Sequence, residues 1–285
     1  MNISFILATV GRADEVGRCL RSLSAQTDSN FEVLLVDQNN DDRLLPHIQQ
    51  GLADGLVINH MRMAKPSLSA ARNLGIASAK GQIIGLTDDD CWYEPNAVAG
   101  IRQAFHADKD IEGIVACWVE QSLFRGQKQA HGLLRNESWR RFRGGDASSI
   151  SLFFKKSLFD QLGGFDARFG VGQWYGAAEE TDFVLRALAA GALLKHCSDV
   201  RVHHHFGNQP ATPLAIACKH ARNRARGTGG IYRKHNLDLQ VVLRGLIAPF
   251  LNALVKFNLK DAVVGIYVSL GRLEGFIRWK DEGKQ

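Results

Sequence analysis

Short apolar runs alternate with segments of helical period through the first 110 residues, and nothing else constrains the fold as much. ISFILATV (residues 3–10), FEVLLVD (31–37), LVINHM (56–61) and QIIGLT (82–87) read as strands. The unbroken apolar character of the first suits a strand buried on both faces. Between the strands, Val16, Leu20 and Leu23 recur at helical spacing. PSLSAARNLGIASAKG (66–81) predicts a helix with Ser67 as its cap and Gly81 just past its end, and Pro95 opens another helix with Val98, Ile101 and Phe105 along one side. Such alternation predicts a mainly parallel sheet with right-handed crossovers, and sheets of this kind bind ligands beyond the carboxyl ends of their strands. Thr9, Asp37 and the triplet Asp88, Asp89, Asp90 all lie at such ends.

After residue 110 the rhythm changes. IEGIVACWVE (111–120) and SSISLFF (148–154) read as strands on either side of an Arg-rich stretch (135–143) expected to be a loop. GGFDARFGVGQWYG (163–176) has the composition of a loop lining a pocket. EETDFVLRALAAG (179–191) predicts a helix with acids in its first turn and Gly191 at its end, and DVRVHHHFG (199–207) a strand ending in three histidines. The remaining residues look helical, amphipathic and basic. The expected division is a catalytic domain over 1–210 and a helical C-terminal extension over 211–285.

Three adjacent carboxylates repel one another unless solvent, basic partners or a cation sits among them. At a strand end they suit a hard divalent ion, Mg²⁺ or Mn²⁺, which takes oxygen ligands and shares its shell with phosphates. An EF-hand is excluded because the sixth and twelfth positions counted from Asp88 are Tyr93 and Ala99. An aspartyl-phosphatase pattern is excluded because the first strand ends in ATVGR. A net charge of +6 favours anionic partners. Six Lys/Arg fall in CKHARNRARGTGGIYRKH (218–235), but no recognisable nucleic-acid module surrounds them, so nucleic acid is not the expected partner. Five scattered cysteines without a CxxC pair argue against a disulfide scaffold and for a reducing compartment. MNISFILATVGR reads as a first strand rather than a leader, and no apolar run is long enough to predict a spanning helix.

ATVGR, LRSLSAQ, FEVLLVDQNNDD, SAARNLGIASAKG, IIGLTDDD, GGFD and AEETDFVLRALAAG occur in the order found in family 2 glycosyltransferases. The resemblance covers roughly residues 1–205. It implies the GT-A (nucleotide-diphospho-sugar transferase) fold, a mixed, mainly parallel sheet flanked by helices, and an inverting enzyme using a nucleotide-sugar donor. Thr9 and Arg12 would border the nucleotide, and Asp37 would accept a hydrogen bond from the base. The family commonly has a second Asp after that one, where this chain has Gln38. Arg72 would reach the nucleotide or its phosphates. Asp88 to Asp90 resemble the Asp-X-Asp element, with Asp88 and Asp89 toward the nucleotide and Asp90, helped by Asp88, holding Mn²⁺ or Mg²⁺. A late histidine completes the metal shell in this family. His204 takes that place by alignment, with His203 the alternative, since alternation along a strand turns the two to opposite faces.

The catalytic base of the family is an acid at the mouth of a helix, matched here by Glu180, with Glu179 beside it and Asp182 as fallback. The acceptor would be a saccharide or a polyprenyl-linked sugar in surface polysaccharide or glycolipid synthesis. The expected location is cytoplasmic, peripheral on the inner face of the plasma membrane, with the C-terminal helices against anionic lipid. Packing of those helices within the chain or in a homodimer is the alternative. Two rival functions stand beside transfer: a catalytically impaired nucleotide-sugar binding or scaffold protein, suggested by Gln38 and by Glu180 in place of Asp, and a metal-dependent nucleotidyltransferase.

Overall fold

The computed structural model describes residues 1–120, 125–126, 131–143, 148–204, 212–255 and 258–280. In chain order the elements are β1 (Ile3–Thr9), α1 (Asp14–Ser24), β2 (Phe31–Asp37), α2 (Leu45–Ala53), β3 (Ile58–Arg62), α3 (Leu68–Ser78), β4 (Ile83–Asp88), β5 (Cys91–Tyr93), α4 (Ala97–Ala107) and β6 (Gly113–Glu120). Then come β7 (Arg125–Gly126), α5 (Asn136–Arg140), a single 3-10 turn (Ser149–Ser151), β8 (Leu152–Lys155), α6 (Lys156–Leu162), α7 (Glu179–Ala189), β9 (Leu194–His204), α8 (Leu214–Lys234), α9 (Leu239–Val255) and α10 (Leu259–Arg278). The chain divides into two compact units. One comprises Met1–Arg135, Gly145–Gly164 and Arg186–Gly207, the other Asn136–Gly144, Phe165–Leu185 and Asn208–Gln285.

The first unit holds one sheet in the order β3-β2-β1-β4-β8-β6-β9-β5, with β7 on β6. β3, β2, β1 and β4 are parallel neighbours, as the βα alternation requires, and β6 and β9 pair in parallel over a long register. β8 runs antiparallel between β4 and β6, so the sheet is mixed. β1, β2 and β4 are mostly apolar and almost wholly buried, as strands covered on both faces are, whereas the edge strand β3 is more polar and partly exposed. At the core, Phe5 of β1 meets the rings of Phe31, Tyr93 and Phe153 edge-on, with centroids 5.4, 5.2 and 6.2 Å away. Each such pair contributes about 0.5–1.5 kcal/mol beyond the area it buries. Val98, Ile101 and Phe105 face this core from α4, as their spacing predicts.

Local details differ from the sequence reading in three places. Ser67 does cap α3, accepting from the Ala70 amide, but the helix ends at Ser78, before Gly81. Gly81 instead lets the chain pass β1 closely: its amide donates to Ser4 Oγ at 2.8 Å, and a Cβ there would lie 2.6 Å from the Ser4 nitrogen. Residues 136–140, expected in a loop, form the short helix α5, held by Arg140 donating to the carbonyls of His235 and Asn236. Helix α2 and strand β5 have no counterpart in the sequence reading.

The second unit is helical. α8 and α10 lie parallel and touch through glycines: a Cβ on Gly271 or Gly275 would strike the carbonyl of Arg222 or Arg226. Glu274 accepts from both of those arginines. α9 returns antiparallel to α10, with Gly265 against the Pro249 carbonyl and Ser269 Oγ donating to the Leu246 carbonyl at 2.5 Å. Gly275→Ala is expected to destabilise the fold by about 1–3 kcal/mol, the usual cost of overpacking. That cost exceeds the ~1 kcal/mol gained in helix propensity. An unchanged urea midpoint for this variant would mean that the glycine contact is not required. Among the described residues no helix is long and apolar enough to cross a membrane.

Candidate functional site

In the first unit, sheet register brings three strand ends level. Thr9 is paired with Asp37 and Ala8 with Asp88, so β2, β1 and β4 present their last residues side by side. The chain then turns through Asp89 and Asp90 into β5, which pairs antiparallel with the end of β9, Cys91 opposite His204 and Trp92 opposite His203. This pairing draws the late histidines up to the aspartates.

The three carboxylates escape mutual repulsion by taking different partners. Asp88 accepts from Arg72 at 2.7 Å and from Ser149 Oγ at 3.2 Å. Asp89 accepts from Thr9 Oγ1 at 2.7 Å and from Arg12 at 2.5 Å. Asp90 faces Arg12 at 2.6 Å and His204 Nε2 at 3.1 Å. Burial pushes the Asp89 carboxyl up, against the opposing pull of Thr9 and Arg12. Burial would also raise Asp90, but His204 and Arg12 outweigh it and hold this carboxyl below the usual range. His204 shows the converse: burial would lower it, while Asp90 keeps it above the ordinary imidazole value.

Arg72, expected at the nucleotide or its phosphates, is fully buried in α3 and directs its guanidinium at Asp88. Arg72 is wholly buried and Asp88 about a third exposed, so Arg72→Ala should cost roughly 2–3 kcal/mol in chemical denaturation, below most of the ~3–5 kcal/mol of a fully buried pair because water reaches the stranded carboxylate. A loss below ~1 kcal/mol, the level of an exposed ion pair, would show that Arg72 is not a structural anchor of Asp88.

Asp37 is wholly buried. Its Oδ1 accepts from the Asn39 amide and side chain at 2.9 and 2.8 Å, and its Oδ2 faces His60 Nε2 at 3.1 Å. Gln38 braces the same corner: its Oε1 accepts from the Ser67 amide at 2.7 Å and its Nε2 donates to the Thr9 carbonyl at 3.4 Å. An amide serves both roles, tying β2 to β1 and to the start of α3, where a carboxylate could only accept. His203 lies on the other side of β9 from His204, with Nε2 3.1 Å from Glu94 and its ring stacked on Trp92.

The residues that sequence reasoning missed here are Ser149, Asn39 and His60. Ser149 is the second residue of a generic Ser-Ser pair, and His60 is recognisable only once β3 is placed beside β2. Among the described residues no cluster of three or more His, Cys, Asp and Glu is gathered as a metal set. Mg²⁺ and Mn²⁺ need no such cluster, since one or two protein ligands plus phosphate oxygens and water suffice. Asp90 and His204 offer such a pair, and Arg12 already sets a positive charge between Asp89 and Asp90. The donor set fits.

The acid pair lies in the second unit. α7 starts at Glu179, immediately after Ala178, whose left-handed φ of 80° costs an alanine roughly 1–2 kcal/mol. Strain of that kind gathers at functional turns. The turn is backed closely by α8, where a Cβ on Gly227 would strike the Ala177 carbonyl. Glu179 is buried and Glu180 half-buried. Asp182 has no exposed surface, and its Oδ1 lies 2.8 Å from Lys234 Nζ and 2.9 Å from His235 Nε2. Lys234 also reaches Asp166, which is held by Arg168. A carboxylate engaged by two such donors and shut off from solvent braces the first turn of α7.

A family model described as Glycosyl transferase family 2 matches residues 4–162. An uncharacterized glycosyltransferase of Nostoc, alr2836, is 27% identical over 118 residues, which are 40% of this chain and 36% of that protein. The chain thus aligns with little more than a third of such curated relatives. Among solved structures, S. aureus TarS 1-349 in complex with UDP-GlcNAc superposes with a TM-score of 0.62 at 12% identity, over 94% of this chain and 90% of that one. The mannosyltransferase PcManGT from Pyrobaculum calidifontis, in complex with GDP-Man and Mn²⁺, does so with a TM-score of 0.66 at 14% identity, over 96% and 86%. At these identities the likeness shows the fold, which is the expected GT-A architecture with a helical C-terminal region.

Proposed function

The chain belongs to glycosyl transferase family 2, and from that premise we propose that it transfers a sugar, with inversion, from a nucleotide-diphosphate donor to a hydroxyl of a saccharide or polyprenyl-linked acceptor. The observation that carries this is the row of strand ends at which Thr9, Arg12, Arg72 and His204 share out the charge of three aspartates. The arrangement suits a diphosphate. Arg12 is partly exposed and can exchange carboxylate for phosphate oxygens. Arg72 and Ser149 fix the Asp88 carboxyl toward the ribose side. Asp37 and Gln38 shape the floor beneath the base. Asp90 and His204 would hold Mn²⁺ or Mg²⁺, which when bound supplies positive charge that stabilises the departing diphosphate.

Glu180 then serves as the base, with Glu179 beside it. It accepts the acceptor's hydroxyl proton as that oxygen attacks the anomeric carbon. The bond from that carbon to the diphosphate oxygen breaks on the opposite face, and the nucleoside diphosphate leaves with the electron pair.

Incubation with a panel of nucleotide sugars, Mn²⁺ and candidate acceptors tests the assignment. Release of nucleoside diphosphate with a new glycoside is the expected result. Pyrophosphate released in a parallel incubation with a nucleoside triphosphate and a sugar 1-phosphate would identify a nucleotidyltransferase instead, and donor binding without turnover a scaffold.

A further inference from the structure

We propose that the outer face of the α9–α10 hairpin docks on an anionic lipid surface. Along α10, Leu259, Val263, Ile266, Leu270, Leu273 and Ile277 follow one another at steps of four and three and all stand in solvent, with Leu259 at 85% and Ile277 at 69% exposure. The opposite side of the helix, carrying Gly271 and Gly275, is the one against α8. α9 shows the same split: Leu239, Leu243, Ile247, Phe250 and Leu251 are exposed, while Val241 and Val242 are buried. The antiparallel contacts of Gly245 with Arg272, Leu246 with Ser269 and Pro249 with Gly265 bring the two rows level. Leu243 comes opposite Leu273, Ile247 opposite Leu270 and Phe250 opposite Ile266. Two adjacent apolar rows of this length make a plate larger than the scattered apolar residues of an ordinary surface, and such plates mark interaction sites.

Charge decides between the occupants. Residues 214–280 carry twelve Lys/Arg against three Asp/Glu, an excess greater than the +6 of the whole chain. Arg244, Lys260, Arg278 and Lys280 are exposed on or beside the hairpin, where, among the described residues, Asp238 and Asp261 are the only exposed acids. A second copy on this face would set two such positive regions against each other, whereas anionic headgroups neutralise them while the acyl layer takes the leucines. Neither helix is long and apolar enough to cross the bilayer, so the hairpin lies flat. Lipid docking does not depend on the transfer reading, because it is measured without turnover.

The test is sedimentation of the full chain with phosphatidylcholine vesicles containing or lacking phosphatidylglycerol. The intact protein should partition onto the anionic vesicles and be released by salt, which screens the basic rim. The double variant Ile266→Asn/Leu270→Asn should bind roughly tenfold or more weakly, since each exposed aliphatic side chain loses its burial. Leu239→Asn/Ile277→Asn, at the far end of the plate, provides a second pair should the first fold poorly, and circular dichroism checks both. Equal binding of variants and parent overturns the proposal, as does absence of binding by the parent. A concentration-dependent dimer that the variants dissociate, without vesicle binding, would assign the plate to a second copy.

Discussion

Glu180→Gln is expected to lower turnover by roughly 10²–10⁴-fold, the contribution of a positioned proton acceptor, while affinity for the nucleotide sugar stays near that of the parent. Glutamine keeps the length and shape of the side chain and removes only its basicity, so a loss confined to turnover separates chemistry from binding. Asp182→Asn should behave differently. Its carboxylate lies against Lys234 and His235 without solvent, so its removal should lower the melting temperature. Glu179→Gln should be mild. Glu180→Asp restores the family's usual residue but retracts the oxygen by one methylene. Partial activity there would show that this turn, with its left-handed Ala178, is set for the longer side chain. Full turnover by Glu180→Gln together with collapse in Asp182→Asn would move the base to Asp182 and refute the assignment.

The second large effect is expected at Asp90. Asp90→Ala should weaken Mn²⁺-dependent binding of the nucleoside diphosphate at least tenfold, the lower limit of ~10–100-fold seen when even outer-shell partners of a metal are removed. Asp90 and His204 are each only 16% exposed, so some stability is lost as well, and the comparison with and without Mn²⁺ is what isolates the metal role. His204→Ala should shift metal dependence in the same direction. His203→Ala should not, because that ring faces Glu94 and Trp92. Calorimetric titration with and without Mn²⁺ reads all three variants. Unchanged metal dependence in Asp90→Ala, or equal effects from the two histidines, would remove the metal role from this pair.

The strands that build the site are readable from the chain because each is a run of apolar residues ending on a polar one: β1 on Thr9, β2 on Asp37, β4 on Asp88. Helices α3 and α7 are readable from a cap or an acidic first turn. Strand β5 is not, because three residues placed directly after the Asp triplet carry no periodicity. α5 is hidden for a similar reason: its five residues are polar but for Trp139, and its arginine is anchored by carbonyls distant in sequence. Arg72 illustrates a different limit. A charge on a helix reads as exposed or ligand-facing, and only the tertiary arrangement shows it buried against Asp88. Gln38 reads as a departure from family habit, yet the structure gives it work that only an amide can do, donating to Thr9 and accepting from Ser67. One register, Cys91 opposite His204, sets His204 beside Asp90 and His203 beside Glu94, and no local signal in HHH contains it.

That register also has a consequence for biosynthesis. β1, β2, β3 and β4 are all made early and pair with one another, so the parallel half of the sheet can form while the chain is still growing from the ribosome. The residue that closes on Asp90 comes from β9, which cannot dock on the three residues of β5 until the chain has passed residue 204. A nascent polypeptide therefore displays its three aspartates long before Asp90 can meet His204, and the charge of that corner is balanced only when the last strand of the sheet has left the exit tunnel.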